Sequence, residues 1–459
     1  MTLPNLRRSS QDLRQPSGPA PAESAAAQVS ARTTSPGPVA LGAPTRARHV
    51  VVLFAVTLAV ITYIDRVCIS QAAPQMRSEL GLTAIQMGWA FTAFTWAYAL
   101  FEIPGGWLGD RIGPRKVLMR VVVWWSFFTA ATGWVWNLAS LLVTRTLFGA
   151  GEAGCFPNLT RAFTTWLPKR ERERAQAILW LSARWGGAFT PLLVAFILRF
   201  VTWRRAFEIF GVIGIVWAWA FFRWFRDDPR THPSVNQAEL ALMPPQHETA
   251  IVHGRIPWNL FFESKAVWLL WAQYICMCYG WYFYITWLPT YLHDARGVSL
   301  MQGAVLSGLP LFFGGFGCIL SGWLAPHLAE RVGSVIRARR MLAITGFLGA
   351  SGSILVFIQL EDPTLAMIAL GMSSFFNDFI MPPAWAACMD IGGRYSGTLS
   401  GSMNMVGNFA GGFSPLMVGY LLAWTAQNWT LTFYTSAAIY SLGAICWWSL
   451  DSQTPLERA

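Results

Sequence analysis

The stretch Phe54-AVTLAVITYIDRVCI-Ser70 is apolar along most of its length and carries Asp65 and Arg66 side by side. A helix that crosses a lipid bilayer needs about 20 mostly apolar residues. Ionisable side chains at such depth are costly unless they are paired or hydrated, and they commonly mark an ion or substrate pathway. The alternative is a structural ion pair that packs two helices together. Buried charges elsewhere in the chain decide between these interpretations.

The composition is that of a membrane protein. Of the 459 residues, 54% are hydrophobic and 12% are charged, against about 25% charged in ordinary globular proteins. The 25 Trp and 31 Phe suit lipid contact and interfacial belts. We attribute the net charge of +11 to Arg-rich loops on the cytoplasmic side of a membrane. The expected surroundings are therefore a lipid bilayer, with no nucleic-acid partner.

The sequence shows no reactive or metal-ligating constellation. All seven cysteines lie in apolar stretches and are interpreted as packing thiols, and Cys276-x-Cys278 has neither a second cysteine pair nor a nearby histidine. The six histidines fall in loops or at segment ends. We expect no metal, no cofactor, no catalytic residue and no enzymatic activity.

Hydropathy predicts an all-α membrane protein with twelve transmembrane helices in two pseudo-symmetric six-helix halves. Residues 1–45 are rich in Ser, Ala, Pro and Gly, lack the apolar core of a signal peptide and are expected to be disordered. The predicted spans are 49–72, 84–108, 116–136, 138–160, 175–198, 205–225, 266–291, 300–324, 339–358, 364–388, 396–422 and 429–450. The predicted organisation is a tail (1–45), a first half (46–226), a cytoplasmic linker (227–264), a second half (265–451) and a C-terminal tail (452–459).

Loop charges predict the orientation. If both termini are cytoplasmic, most loop arginines and lysines fall on the cytoplasmic side, as the positive-inside rule requires. Arg199, Arg204 and Arg205 are an exception that this rule does not explain. The expected location is the inner (plasma) membrane, crossed many times, with both termini in the cytoplasm.

The two halves repeat each other in sequence. Five residues of the first half recur in the second at a constant offset of 216 positions, namely Gly81, Gln86, Gly106, Trp107 and Leu108 as Gly297, Gln302, Gly322, Trp323 and Leu324. Parallel six-helix repeats place the substrate site near the bilayer midplane, where the halves meet.

The segment Gly106-WLGDRIGPR-Lys116 resembles the loop-2/3 signature of the major facilitator superfamily. Its glycines permit close helix approach, Asp110 can cap or pair, and its cations lie at the cytoplasmic face. Because this segment lies far from the midplane, we expect it to control conformational switching. The predicted gating residues are Gly106, Asp110, Arg111, Gly113 and Arg115.

A narrower resemblance covers nearly everything from residue 50 to 450. The stretches Tyr63-IDR, Gln86-MGW, Phe148-GAGEAGCFP and Gly401-SMNMVGN look like the anion:cation symporter family, which includes sialin, vesicular glutamate transporters and bacterial galactonate, glucarate and hexuronate carriers. This resemblance implies import of a small organic anion, with a sugar acid favoured, by proton symport and alternating access. Other carboxylates (an aromatic acid or a tartrate-like diacid), an exporter of the same superfamily and a non-transporting sensor remain as alternatives. The expected partners are the organic anion and a proton, and the expected functional unit is a monomer.

The charged residues support this interpretation independently. Arg145 and Glu152 are seven residues apart and therefore share one helix face, roughly 10 Å apart along the axis. Asp65 and Arg66 reach a similar depth on the first helix. We predict that Arg66 and Arg145 bind the substrate carboxylate through their planar guanidinium groups, and that Glu152 and Asp65 carry proton coupling, with Glu152 preferred. Arg66 is expected to neutralise Asp65, or both to face a shared cavity.

Further polar residues in the predicted spans are candidates to complete the site. Asp378 is a third coupling candidate because a lone buried acid needs a partner or a proton. For the aromatic side chains of the second half, packing is an equally good interpretation. The other predicted substrate-binding residues are Tyr98, Arg184, Tyr279, Tyr282, Asn404 and Asn408.

Overall fold

The computed structural model describes residues 43–245, 258–288, 291–292, 295–298, 300–425, 428–453 and 455–456. Within these ranges the chain is helical and contains no strand. Most of the predicted N-terminal tail, part of the linker and the last residues lie outside the described ranges. The helices are α1 (Ala47–Leu80), α2 (Ala84–Ile112), α3 (Pro114–Thr132), α4 (Leu138–Glu152), α5 (Cys155–Trp166), α6 (Lys169–Ile197), α7 (Trp203–Trp224), α8 (Gln237–Leu240), α9 (Trp258–Glu263), α10 (Lys265–Thr286), α11 (Leu300–Val332), α12 (Val335–Gln359), α13 (Pro363–Phe379), α14 (Met381–Gly392), α15 (Ser396–Trp424) and α16 (Trp429–Ser449).

Each predicted span overlaps a helix, at shifted bounds. Five stretches of the described residues are long and apolar enough to cross a membrane by length and composition, namely Ala47–Ala73, Trp203–Trp224, Gly308–Val332, Val335–Gln359 and Pro363–Gly411. The first helix is longer than expected and continues to Leu80. Gly81 ends it in the left-handed conformation, with φ of 65°.

Two of the predicted spans, 138–160 and 364–388, were wrong as single helices. The fourth span divides into α4 and α5 at Ala153 and Gly154, and the tenth divides into α13 and α14 at Ile380. In both places a proline lies in the first turn of the following helix, at Pro157 and at Pro382–Pro383. Proline has no N–H to donate to the preceding turn, and its ring clashes with that turn, which favours a break, although α2 and α11 continue through Pro104, Pro310 and Pro326.

The sequence repeat has a counterpart in the backbone. Gly81 and Gly297, which match at the offset of 216, adopt positive φ values of 65° and 62°. Gly113 and Gly333 also have positive φ, at an offset of 220. A backbone position with positive φ favours glycine, because glycine has no Cβ. The same turn chemistry therefore recurs in the first part of the chain (residues 43–245) and in the second part (residues 258–456).

The most extensive contacts between the first part of the chain and the second are those of α2 with α15 and of α6 with α11, and smaller contacts join α6 to α14 and α5 to α15. The α2–α15 crossing is close because Gly106 lies on the backbone of Gly397, where an added Cβ would fall 2.1 Å from the carbonyl oxygen of Gly397. The remaining large contacts pair helices within the same part, such as α1 with α6 and α3 with α7.

Buried ion pairs close the molecule at one end, which we call the tail end because α1 begins and α16 finishes there. Arg339 binds Glu173 at 2.5 Å and Asp390 at 2.9 Å, and Arg172 also binds Asp390. These contacts connect α6 with α12 and α14. At the opposite end, the ion pairs found among the described residues, such as Arg204 with Glu79, join residues of the first part only.

Candidate functional site

A cavity of about 330 Å³ lies between the two parts of the chain. Its walls come from α1, α2, α5 and α6 on one side and from α10, α11, α13, α14 and α15 on the other. Six of the eight predicted substrate-binding residues line it, namely Arg66, Tyr98, Arg184, Tyr282, Asn404 and Asn408. Much of the remaining wall is aromatic, formed by Tyr63, Phe94, Phe156, Trp180, Tyr274 and Trp281.

Arg66 forms an ion pair with Glu152 at the cavity wall. The Nε atom of Arg66 donates to Oε1 of Glu152 at 2.5 Å. Its Nη2 atom and the Oε2 atom of Glu152 are buried without a hydrogen-bond partner among the described residues. The Arg66 side chain is 21% exposed, and its guanidinium lies 4.4 Å from the centre of the Tyr98 ring. The pair therefore has unused hydrogen-bonding capacity next to the cavity.

The break between α4 and α5 explains why Glu152 needs Arg66. Glu152 is the last residue of α4, where the partial negative charge of the helix C-terminus disfavours a carboxylate. Arg66 supplies the opposing charge from α1. Polar contacts within an apolar site are stronger than in water, since the effective dielectric constant is lower.

Arg145 and Asp65 lie behind the wall rather than on it. Arg145 is buried over the rings of Phe94 and Phe148, at 5.0 and 4.6 Å, and its Nε atom has no hydrogen-bond partner among the described residues. Both carboxylate oxygens of Asp65 are likewise buried without such a partner. Asp65 lies within electrostatic reach of Glu152 and Arg145.

The expected pairing of Arg66 with Asp65 was wrong. Consecutive residues of an α-helix project about 100° apart, so the two side chains point in different directions. Arg66 reaches the cavity and Glu152, while Asp65 is buried on the other side of α1, near Arg145. Asp65 does not face a shared cavity either.

Arg184 and Asp378 form a second ion pair, which crosses between α6 and α13. The Nε and Nη2 atoms of Arg184 donate to the two carboxylate oxygens at 2.6 and 2.9 Å. Asp378 also accepts from Nδ2 of Asn377 at 3.0 Å. The guanidinium of Arg184 lies 3.5 Å from the centre of the Trp281 ring, and its Nη1 donates to the Tyr63 hydroxyl at 3.4 Å. Asp378 is therefore not a lone acid.

Glu102 is a functional candidate that sequence reasoning missed. It is fully buried on α2 and accepts hydrogen bonds from the side-chain amides of Asn404 and, at 3.3 Å, Asn408 on α15. The signal was available, because Glu102 is an acid within a predicted apolar span, four residues after Tyr98 and on the same helix face. Glu102 connects the two parts of the chain without an ion-pair partner among the described residues.

The two asparagines also bind tyrosine hydroxyl groups. Tyr274 donates to Oδ1 of Asn404 and Tyr282 donates to Oδ1 of Asn408, each at 3.1 Å. Tyr279, the remaining predicted residue of this group, does not line the cavity. Its backbone carbonyl accepts from Ser414, and its hydroxyl is buried without a hydrogen-bond partner among the described residues.

The predicted gating residues divide into two groups. Asp110 accepts from the backbone amides of Gly397 and Thr398 at 3.0 and 2.6 Å and from the Thr398 hydroxyl at 2.7 Å, and Arg161 lies 3.5 Å from it. Gly106 shares this contact with α15. These two residues therefore hold α2 on the start of α15 at the tail end.

The other three gating residues contact the first part of the chain. The backbone amide of Arg115 donates to Asp227 at 2.8 Å, and its guanidinium donates to the carbonyl of Phe222. Burial raises the pKa of Asp227, and the hydrogen bond from the Arg115 amide opposes that rise. Gly113 has a φ of 86° and lies beside Asp227, and the exposed Arg111 lies over the Trp107 ring.

Comparisons with known proteins identify the class. The sequence model of the Major Facilitator Superfamily matches residues 55–415. A probable sulfoacetate transporter of Cupriavidus necator is 37% identical over 404 residues, covering 87% of this chain and 93% of that protein. A D-galactonate transporter of Escherichia coli is 31% identical over 399 residues, covering 84% and 91%. The solved structure of a proton:xylose symporter gives a TM-score of 0.71 at 13% identity, covering 90% of this chain and 98% of that one.

The chain therefore belongs to the Major Facilitator Superfamily. It is a multi-pass integral membrane protein with the superfamily's helical fold, and it is a transporter rather than an enzyme. The resemblance to the anion:cation symporter family is confirmed, because the sulfoacetate and D-galactonate relatives are transporters of organic anions by name. Among the described residues there is no cluster of His, Cys, Asp or Glu that could hold a metal ion.

Proposed function

We propose that this protein imports a small organic anion together with protons, by alternating access of the central cavity. The observation that carries this proposal is the charge balance around the cavity. Three arginines (Arg66, Arg145 and Arg184) stand against four acids (Asp65, Glu102, Glu152 and Asp378), all of them in or just behind the wall. An anion entering this site adds to an excess of negative charge, so its binding favours proton uptake by one or more of the acids.

Arg66 is the first candidate to bind the carboxylate of the substrate. Its guanidinium is on the wall, has an unused donor and can present the N–H groups along its edge to a substrate carboxylate. Arg145 is proposed to act from behind, by holding the local potential positive near Asp65 and Glu152. The hydroxyl and amide groups of Tyr98, Tyr282, Asn404 and Asn408 then offer hydrogen bonds to the neutral part of the substrate.

Those neutral polar groups favour a hydroxylated substrate, so a sugar acid is the first candidate. The similarity to a D-galactonate transporter agrees with this choice. A dianion is the second candidate, because Arg66 and Arg184 give the cavity two cationic positions. Sulfoacetate and tartrate-like diacids fit that description, and the similarity to a probable sulfoacetate transporter agrees with it.

We propose that Glu152 carries proton coupling and that Asp65 is the second candidate for this role. A substrate anion that takes the donors of Arg66 leaves Glu152 without its cation at the negative end of α4. Protonation of Glu152 then lowers the cost of its burial. Release of that proton restores the Arg66–Glu152 ion pair and weakens the hold on the anion.

Alternating access is proposed to open at the tail end. The contacts of Asp110 with α15 and the ion pairs of Arg339 hold that end shut in this structure, and they must separate before the cavity opens there. We further propose twelve membrane-spanning segments in halves 46–226 and 265–451, a monomeric unit and both termini in the cytoplasm of a plasma membrane. On that orientation the tail end faces the cytoplasm.

The test is uptake by proteoliposomes that contain the purified protein. Labelled D-galactonate, glucarate, tartrate and sulfoacetate are offered with and without an inward proton gradient. We expect accumulation of one of them that collapses when a protonophore removes the gradient. Accumulation that follows a sodium gradient instead contradicts proton coupling, and absence of flux for every carboxylate and sulfonate contradicts anion transport.

A further inference from the structure

Two hollows lie along the seam between α1 and α6, and together we call them the α1–α6 groove. The first hollow, at the tail end, has a volume of about 590 Å³ and is lined by Arg46, His49, Val52, Arg174 and Ile178 among others. Further along the same seam lies a second hollow of about 340 Å³. The walls of the second hollow are almost entirely apolar and include Val60, Ile64, Leu181, Gly186, Phe189 and Leu193.

The two hollows lie in line. On α6, the wall residue Ile178 of the first hollow is three residues from Leu181 of the second, about 5 Å along the helix axis. On α1, Val52 and Val60 are eight residues apart, about 12 Å. The groove therefore runs from a charged end towards the middle of the bilayer along one pair of helices.

Two of the three arginines at the charged end form no ion pair with a described residue. Arg48 is fully used, because it binds Glu171 at 2.8 Å and Glu239 at 3.1 Å. Glu171, the acid in this hollow, is thereby neutralised, and His49 lies 3.7 Å from it as well. Arg46 and Arg174 are exposed in the same hollow and form no salt bridge with a described residue.

We propose that this α1–α6 groove binds an anionic phospholipid. The phosphate of the headgroup lies between Arg46 and Arg174, and one acyl chain fills the apolar hollow. Basic pockets between membrane helices bind anionic lipid headgroups by the same chemistry. A free anion uses only the charged end, since the second hollow offers it no positive charge. The N-terminal segment before Ala43 is an unsuitable occupant because its net charge is positive, from Arg7, Arg8, Arg14 and Arg32 against Asp12 and Glu23.

The groove is one side chain away from the transport cavity. Tyr63 of α1 lines the cavity, and its ring packs against Gly187 of α6. Ile64 and Gly186, which adjoin these residues in sequence, line the groove, and so does Val60, three residues before Tyr63. A bound acyl chain therefore supports the spacing of the two helices that carry Arg66 and Arg184.

The experiment measures lipid binding to the purified, delipidated protein by native mass spectrometry and by thermal melting. The probes are dioleoylphosphatidylglycerol, dioleoylphosphatidylcholine and glycerol 3-phosphate. The test variant is R46Q/R174Q, and its matched control is R223Q/R337Q, which removes two exposed arginines away from the groove. A second variant, S182F, fills the apolar hollow and leaves the arginines in place.

We expect phosphatidylglycerol to bind and raise the melting temperature more than phosphatidylcholine does. Loss of two arginines near a membrane surface costs roughly fivefold each, so R46Q/R174Q is expected to bind phosphatidylglycerol about 25-fold more weakly. The control variant keeps the preference, and S182F weakens binding of both lipids. Equal binding of the two lipids by the wild-type protein overturns the proposal. So does an equal loss in R223Q/R337Q, or full stabilisation by glycerol 3-phosphate without an acyl chain.

Discussion

The ion pairs Arg66–Glu152 and Arg184–Asp378 arise from similar sequence patterns, but they differ in the hydrogen bonds that they make in the structure. Each acid stands at the end of a helix, five residues before a proline that breaks the span, namely Pro157 and Pro383. In each case the negative end of the helix disfavours the carboxylate and an arginine from another helix opposes it. The two acids thus occupy similar positions, each near the C-terminal end of a helix that stops before a proline.

The two pairs differ in how many of their hydrogen bonds are made. Arg66 and Glu152 share a single hydrogen bond, leave one buried nitrogen and one buried oxygen unused, and belong to the same part of the chain. Arg184 and Asp378 share two hydrogen bonds, gain further bonds from Asn377 and Tyr63, and join α6 to α13. An unsatisfied pair at a cavity wall can exchange its partner for a ligand or a proton at low cost. A satisfied pair is suited to holding two parts together.

The largest expected effect on transport comes from substitutions of Arg66 in the Arg66–Glu152 pair. R66A removes the cation of the cavity wall and leaves Glu152 buried without a partner, so uptake is expected to fall about 100-fold. R66K keeps the charge but loses the planar fork, and should recover only part of the rate. The measurement is initial uptake of the identified anion together with equilibrium binding. Uptake close to the wild-type rate in well-folded R66A shows that Arg66 is not the substrate cation.

Removing one member of the Arg184–Asp378 pair is expected to lower the stability of the protein. D378N leaves Arg184 buried and uncompensated, which costs about 3 kcal/mol, and the melting temperature should drop accordingly. R184L/D378L removes both charges and should recover most of that stability, because replacement of a buried pair by apolar residues is often neutral. If the double variant is as unstable as D378N, the cost does not come from an unpaired charge.

Glu152, rather than Asp378, is expected to carry proton coupling. E152Q should still bind and exchange substrate, because exchange needs no net proton movement, but should fail to concentrate it. A gradient of one pH unit supports about tenfold accumulation per coupled proton, and this factor should disappear. Counterflow and gradient-driven uptake are measured in the same proteoliposomes. Accumulation by E152Q that still follows the pH gradient moves the coupling role to Asp65 or Glu102, and E102Q is then the variant to examine.

The smallest effect is expected at Asp110, an acid that also joins the two parts but lies away from the cavity. D110N loses one acceptor for Thr398 while keeping the shape of the side chain, at a cost of about 1 kcal/mol. Transport should change about fivefold, with equilibrium affinity nearly unchanged. A loss of binding as large as that of R66A contradicts a role restricted to conformational switching.

Sequence alone located six of the polar residues on the wall of the cavity. Arg66, Tyr98, Arg184, Tyr282, Asn404 and Asn408 were found because a polar side chain within an apolar span is itself an exception that needs a reason. Glu102 satisfied the same criterion and was passed over. Its role depends on Asn404 and Asn408, which are distant in the chain and adjacent only where α2 crosses α15.

The sequence by itself determined the membrane class, the approximate positions of the helical segments, the repeat and the family, since these follow from composition, hydropathy and local motifs. The tertiary structure decided which charges meet. Direction around the helix axis and the proline breaks sent Arg66 to Glu152 rather than to Asp65, and the α6–α13 packing gave Asp378 its arginine. Partner choice is a property of where helices cross, because hydrogen bonds and ion pairs act over a few ångströms, whereas hydropathy is carried by each residue wherever it lies in the fold.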